Sequence, residues 1–254
     1  MTANQMADEL ELKLDRSDSF GSPGYEDFEL SSVLSEAQTL YVKKYFDELN
    51  NRKGKGFEEI EIRNQGLAAL IKDAASCPIS ASQVGVIVNG DVAGKFFDLP
   101  LDHMYTVFEE CTLDKTDCTT GEPTIAYIIV VAHNEIQRFS WNKYKKPFTK
   151  AYGLARVWRG EFSRVTSGIL PSAPATAKRH ELFTDKTFNI TNYHIRYVKN
   201  PLSVTVDRTT PTNQRNCELD DSTHKVIVDI ATDLMMNRVK EQKMQNIESF
   251  KDLE

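Results

Sequence analysis

The eight residues Ile125–Ala132 (IAYIIVVA) are uninterruptedly apolar, and most are β-branched. Such a run is far shorter than the ~20 residues needed to cross a membrane as a helix. β-branched and aromatic side chains fit a pleated surface. The run therefore reads as a strand at the centre of a sheet, or one buried on both faces. A buried strand needs neighbours, and the sequence offers several. Val84–Val88 (VGVIV) is a short strand ended by Asn89-Gly90. Arg156–Val165 and Ile190–Val198 look like a pair. In the second, Tyr193, Ile195 and Tyr197 point one way, while His194 and Arg196 point the other. Leu202–Val206 (LSVTV) continues the sheet, with Pro201 marking an edge or a bend. Leu99–Glu110 begins as a helical turn after Pro100.

Helical periodicity brackets these strands. Ser32 or Ser35 can cap a helix running to about Asn50, with Ala37, Leu40, Tyr41, Tyr45 and Leu49 on one face. After the basic turn Asn50–Gly56, a second helix is expected over Phe57–Asp73, with Ile60, Leu67, Leu70 and Ile71 aligned. The short link makes the two an antiparallel hairpin. Gly66 weakens the second helix by about 1 kcal/mol relative to alanine, so close packing of the pair is its physical reason. His133–Tyr144 is a short helix ended before Pro147. The last helix starts at Asp220-Asp221-Ser222 and carries a stripe of Val226, Ile227, Ile230, Ala231 and Leu234.

The expected architecture is α+β: an N-terminal helical hairpin, a mixed, mostly antiparallel sheet, and a C-terminal helix packed on that sheet, with extended terminal arms. Residues 1–30 form an acidic extended arm, residues 31–236 a single domain, and residues 237–254 a charged extension. Residues 167–188 protrude as a Pro/Ala/Ser-rich loop or hairpin, long enough to suggest intermolecular contact. Phe20, Tyr25 and Phe28 are spaced along the arm as anchors for a neighbour.

Charge sharpens this picture. The net charge of the 254 residues is −6, and residues 1–30 alone carry −6, from eight acids and two bases. The remainder alternates: −7 over residues 31–137, +10 over 138–199 and −3 over 200–254. The cationic block contains thirteen bases and three acids, with Trp141, Tyr144 and Trp158 among them. One reading is a surface for phosphates, using Lys143, Lys145, Lys146, Arg156, Arg159, Lys178 and Arg179. The other is complementarity between copies, the basic patch of one meeting the acidic patch or arm of the next. The sequence pI of about 5.5 favours the second.

No catalytic constellation emerges. The sequence lacks a Gly-rich phosphate loop, a G-x-S-x-G elbow and an H-E-x-x-H helix. Asp102-His103 reads as surface polarity, His133 as part of a helix cap, His180 as a basic-loop residue, and His224 as a partner of Asp220 and Asp221. Cys77, Cys111, Cys118 and Cys217 form no C-x-x-C, so they read as reduced, mostly buried thiols of a cytosolic protein. The acidic, polar N-terminus gives no sign of a signal peptide. No metal, cofactor or membrane partner is expected.

The order of segments resembles virion structural proteins of crAss-like tailed phages. SEAQTLYVKKYFDE and LAALIKDA resemble their opening helices, and FDLPLDHMYTVFEECTL their Leu-Pro-x-Asp-x-x-Tyr segment. AHNEIQRFSWNKYKKPF resembles their short helix and Lys-Pro-Phe turn. IRYVKNPLSVTVD followed by CELDDSTHKVIVDIATDL is the most specific part. The resemblance spans about residues 31–236, and the 167–188 insertion and the acidic arm depart from it. It implies a non-enzymatic ring or head-to-tail connector subunit of a podovirus-like tail. Such subunits form a cyclic homo-oligomer, twelve-fold to match a portal. They contact the portal protein and other tail rings, and genomic DNA passes through without sequence-specific binding. The location implied is the virion, after assembly in the bacterial host cytoplasm. Under this resemblance Tyr197, Lys199 and Pro201 are fixed by the fold, with Cys217, Glu218 and Leu219 anchoring the last helix to the sheet, or the shared motif makes direct ring contacts. The competing reading is a nucleic-acid-binding accessory protein that uses residues 138–199.

Overall fold

The computed structural model describes residues 1–18, 24–46, 65–79, 87–88, 92–115, 124–149, 155–160 and 178–251. Expectations for Phe20, the 50–56 turn, residues 57–64, Val84–Val86, Cys118 and residues 161–177 lie outside them. The stretch expected as one domain divides instead into two compact units. Residues 1–70 and 200–254 form a helical unit, and residues 71–199 a sheet unit.

The helical unit overturns the extended arm. Residues Ala3–Asp18 form helix α1. Thr2 and Gln5 cap it reciprocally: the Gln5 N–H donates to Thr2 Oγ1 (3.3 Å) and the Thr2 N–H to Gln5 Oε1 (2.9 Å). Ala3, Met6, Ala7, Leu10 and Leu14 are buried at helical spacing. The arm's acids face arginine and lysine of the same unit. The Arg208 guanidinium reaches Asp8 (2.9 Å), Glu11 (2.9 Å) and Asp27 (3.6 Å), and Lys13 reaches Glu9 (3.1 Å) and Asp229 (2.7 Å). An arm with a buried apolar stripe and answered charges has no reason to extend.

Helix α2 spans Asp27–Phe46 and starts earlier than expected, because Glu29 reaches back to the Glu26 N–H (3.2 Å). The serines then lie inside the helix. The Ser31 and Ser35 hydroxyls donate to the carbonyls of Asp27 (2.6 Å) and Ser31 (2.7 Å), and accept the N–H groups of Val206 (2.8 Å) and Val204 (3.0 Å). Residues 202–206 are thus an extended rung along α2, with one bridge from Thr205 to Arg215, and they do not continue the sheet. Residues 65–67 are helical and 68–70 form a 3-10 turn. Ile71 and Asp73, expected in that helix, belong to a strand. A Cβ on Gly66 would lie 3.0 Å from the Tyr41 hydroxyl and 3.5 Å from Thr223 Cγ2, so close packing does explain this glycine.

The last helix runs from Asp221 to Lys251 without a break at the expected extension. Within the helical unit its partners are α1 and α2. The buried stripe is Thr223, His224, Ile227, Val228, Ala231, Thr232 and Met235, and Val226 is exposed. His224 meets Asp221 (3.2 Å) as expected, and its Nε2 lies 3.0 Å from the Leu219 carbonyl. Glu218 accepts the Leu202 N–H (2.9 Å).

The sheet unit is a curled, mostly antiparallel sheet with nine strands among the described residues. They are β1 (Ile71–Ala74), β2 (Ile87–Val88), β3 (Val92–Asp98), β4 (His103–Lys115), β5 (Thr124–Val131), β6 (Phe148–Thr149), β7 (Ala155–Gly160), β8 (Arg179–Thr184) and β9 (Phe188–Lys199). The order is β1-β9-β4-β5-β7-β8-β3-β2, with β6 beside β7. β5 is central, as its apolar run requires, but not buried on both faces: Ile125, Tyr127 and Val130 are exposed. β7 pairs with β5 in parallel and β9 with β4 and β1, so the expected β7–β9 pair does not form. The reason is helix α3, His133–Ser140, which carries the chain back between β5 and β7 so that both run the same way. Its N-cap is Ala132, so His133 does not cap it.

Two apolar layers hold the sheet. Inside the curl, Phe97, Leu99, Cys111, Leu113, Val157, Leu182, Tyr193 and Ile195 form one core. The segment 75–79 spans the gap between β9 and β3, through Cys77 N–H to the Tyr193 carbonyl (2.8 Å) and Asp98 N–H to the Pro78 carbonyl (2.9 Å). On the outer face, Trp158 and Phe183 are paired across β7 and β8, and Ile136 of α3 lies among them. β8 is buried along its whole length. The second part of the expected 167–188 protrusion is therefore an interior strand, held by the pairing of Phe96↔Glu181 and Trp158↔Phe183 on its two sides.

Candidate functional site

The seven basic residues separate into two groups. Arg159, Lys178 and Arg179 work inside the sheet unit. Arg179, 3% exposed, places Nε 2.6 Å from Asp98. Lys178 donates to the His103 carbonyl (2.7 Å). Arg159 Nε donates to Glu109 Oε1 (2.8 Å), and Glu109 Oε2 accepts the Tyr193 hydroxyl (2.8 Å). The Tyr193 oxygen lies 2.6 Å from His180 Nδ1. The phenol's single proton goes to Glu109, so Nδ1 carries the proton in the His180 contact.

This chain braces β4, β7, β8 and β9 across the curl. Burial lowers His180 to about 2, helped by the Arg159 charge and by His103. Burial likewise lowers His103 to about 4, with Lys178 and Arg159 adding to the shift. His180 is thus an interior strand residue, not part of a basic loop. His103 is also buried, while its neighbour Asp102 takes the Lys72 ammonium (3.0 Å) and the Tyr197 hydroxyl (2.9 Å). Burial raises the Cys77, Cys111 and Cys217 thiols to about 11, 12 and 11, which suits inert, reduced side chains. Among the described residues no group of three or more His, Cys, Asp or Glu side chains could hold a metal ion, and no helix is long and apolar enough to cross a membrane.

Lys143, Lys145 and Lys146 belong to a different object. α3 ends at Trp141, and the next backbone N–H, that of Asn142, donates to the Phe139 carbonyl (3.0 Å). Asn142 then organises a tight turn. Its side chain accepts the Tyr144 N–H (2.9 Å), and its carbonyl accepts the N–H groups of Lys145 (3.0 Å) and Lys146 (2.9 Å). β7 secures the other side. Arg156 Nη2 donates to the carbonyls of Tyr144 (2.6 Å) and Lys146 (3.0 Å), and Trp158 Nε1 to that of Lys145 (3.1 Å). Arg156 also stacks over Phe148, its charge 4.6 Å from the ring centre. Arg156, expected at the contact surface, thus builds the turn that presents it.

The fixed turn displays Trp141 and Tyr144, 77% and 84% exposed, with Lys143 and Lys145 exposed beside them. The Lys145 ammonium sits 4.3 Å over the Phe139 ring. Arg138 pairs with Glu135 one turn back. The result is a rigid cationic knob with an aromatic tip.

Of the arm anchors, Tyr25 is half-buried and Phe28 is 67% exposed at the start of α2. Together with Glu29, Ser32, Val33, Met235 and Arg238 they line a cleft of about 330 Å³. Knob and cleft belong to units of opposite charge. The helical unit carries 24 acids and 15 bases, and the sheet unit 13 acids and 16 bases, for net charges of −9 and +3. The knob's basic residues were legible as a charge block; the turn chemistry of Asn142 and its capture by Arg156 and Trp158 required the β5–α3–β7 crossover. The cleft was missed because Met235 and Arg238 join Tyr25 and Phe28 only in the fold.

The family described as "Phage tail ring protein 3/4" matches residues 1–246. The chain is also 24% identical over 204 residues to "Ring protein 4/5" of Bacteroides phage crAss001, covering 80% of this chain and 75% of that protein. The match includes α1 and extends well into the last helix, so both terminal segments of the helical unit are family features, and the chain belongs to the crAss-like phage tail ring protein 3/4 family.

Proposed function

We propose that this chain is a ring subunit of a podovirus-like tail near the portal. Twelve copies surround a channel through which genomic DNA passes, and the role is structural, without catalysis. The observation that carries the reading is the rigid knob. Large aromatic side chains held on a fixed turn and left 77% and 84% exposed are the raw material of an interface core. Opposite net charge on the two units supports contact between unlike patches of neighbouring copies, which is how a head-to-tail ring closes. Portal and other ring proteins are the proposed neighbours above and below.

The reading as a nucleic-acid-binding accessory protein loses support. Arg156, Arg159, Lys178 and Arg179 are all engaged within the sheet unit, which leaves the knob lysines as the basic surface of that set. DNA in the channel is then met through diffuse charge, without base readout. Electron cryo-microscopy of the virion tail tests the proposal. A closed ring of this chain on the DNA axis next to the portal is the expected density. Its absence from the particle, or its presence as isolated copies off the axis, overturns the reading.

A further inference from the structure

We infer that the knob of one copy seats in the cleft between α2 and the last helix of the next copy, an inference that rests on the ring reading. The knob brings an indole, a phenol and two ammonium groups, all held by the turn at residues 141–146. Its backbone carbonyls at 144, 145 and 146 are already bonded, so docking has side chains to order and not the backbone of the turn. The cleft offers matching chemistry. Tyr25, Phe28 and Val33 supply apolar walls, and Met235 supplies a thioether that packs well on aromatic rings. Arg238, held beside Glu36, supplies a cation for an aromatic face. Glu29 supplies a carboxylate for a lysine.

At about 330 Å³ the cleft has room for an aromatic side chain and not for a folded element. Charge points the same way, since the cleft belongs to the −9 unit and the knob to the +3 unit. Knob and cleft are different patches of one sequence, so each copy gives one and receives one. Such contacts propagate around a ring until it closes. The occupant is therefore a second copy of this chain.

The test uses the full chain with a benzophenone amino acid in place of Tyr144, mixed with an equal amount of ¹⁵N-labelled chain and irradiated. Mass spectrometry of the digest separates links between copies from links within one. Expected are inter-copy links to residues 25–33 or 235–238. The double variant Trp141→Ala with Tyr144→Ala should raise the concentration for half-assembly about tenfold or more, and its unfolding temperature should stay at the wild-type value. Multimers whose links fall elsewhere, or within one copy, overturn the knob-in-cleft contact and leave the ring reading standing. Failure of the wild-type chain to associate at all overturns the ring reading and this contact together. Salt-sensitive links from position 144 to added duplex DNA, without links to the cleft, would transfer the knob to the nucleic-acid reading.

Discussion

Leu10→Ala separates an integral first helix from a detachable acidic arm. Leu10 is fully buried, while Leu12, on the opposite face of the same helix, is 52% exposed. Truncating a buried leucine removes its transfer free energy and leaves a cavity, together about 3 kcal/mol. For a chain of this size each kcal/mol lowers the unfolding temperature by about 2–4 °C. Leu10→Ala should therefore lower it by about 6–12 °C. Leu12→Ala makes the same chemical change on the same helix, and should stay within about 0.5 kcal/mol of wild type. The assay is thermal unfolding followed by circular dichroism at the helix band, which weights the helical unit. Equal, small effects of the two substitutions would refute the packing of α1, because a loose arm does not distinguish its faces. Helix propensity cannot imitate the contrast, since both positions undergo the same leucine-to-alanine exchange.

Other perturbations probe the remaining supports. The double variant Ser31→Ala with Ser35→Ala leaves the Val204 and Val206 N–H groups without their acceptors. It should destabilise the chain by about 1–3 kcal/mol for each group, and unchanged urea unfolding would show that water replaces them. Gly94→Ala places a Cβ 2.7 Å from a Glu181 carboxylate oxygen and 3.0 Å from the Phe183 ring. A loss of about 1–3 kcal/mol is expected from overpacking, measured by the same denaturation. Acid should weaken the sheet unit through His103. The folded form stays neutral down to about 4 while the unfolded form takes up a proton near 6.5, so stability falls as pH drops between these values. Between pH 7.5 and 4.5 this group contributes a loss of about 2–3 kcal/mol. His103→Gln should remove that share and leave the part due to His180, which burial lowers to about 2, and an unaltered slope would place the titration elsewhere.

The apolar run at 125–132 was a sufficient signal for a central strand, because eight consecutive apolar residues leave few other places to go. It did not reveal that Ile125 and Tyr127 stay exposed, since exposed and buried strand positions can carry the same β-branched and aromatic residue types. α1 was readable as well. Thr2 and Gln5 stand at capping-box spacing and Ala3, Met6, Leu10 and Leu14 at helical spacing, but the five acids of the same segment obscured the stripe. Those acids look like a solvated tail until Arg208, some two hundred residues away, comes to meet Asp8 and Glu11. Separations of 13 to 84 residues hid the brace of Glu109, Arg159, His180 and Tyr193 as well, whose members lie on four strands. A linear charge count cannot distinguish a lysine on a surface turn from an arginine closed over a buried carboxylate. For that reason four of the seven candidate bases, Arg156, Arg159, Lys178 and Arg179, proved to be engaged within the sheet unit, and the three lysines of the 141–146 turn were left as its candidate contact residues.

The most direct test of a ring built by contact between unlike patches is native mass spectrometry of the full chain over a concentration series. A single closed species of twelve copies, forming cooperatively with no ladder of open intermediates, is the result expected. A chain that remains monomeric throughout, or that stops at a two-fold dimer, would contradict it.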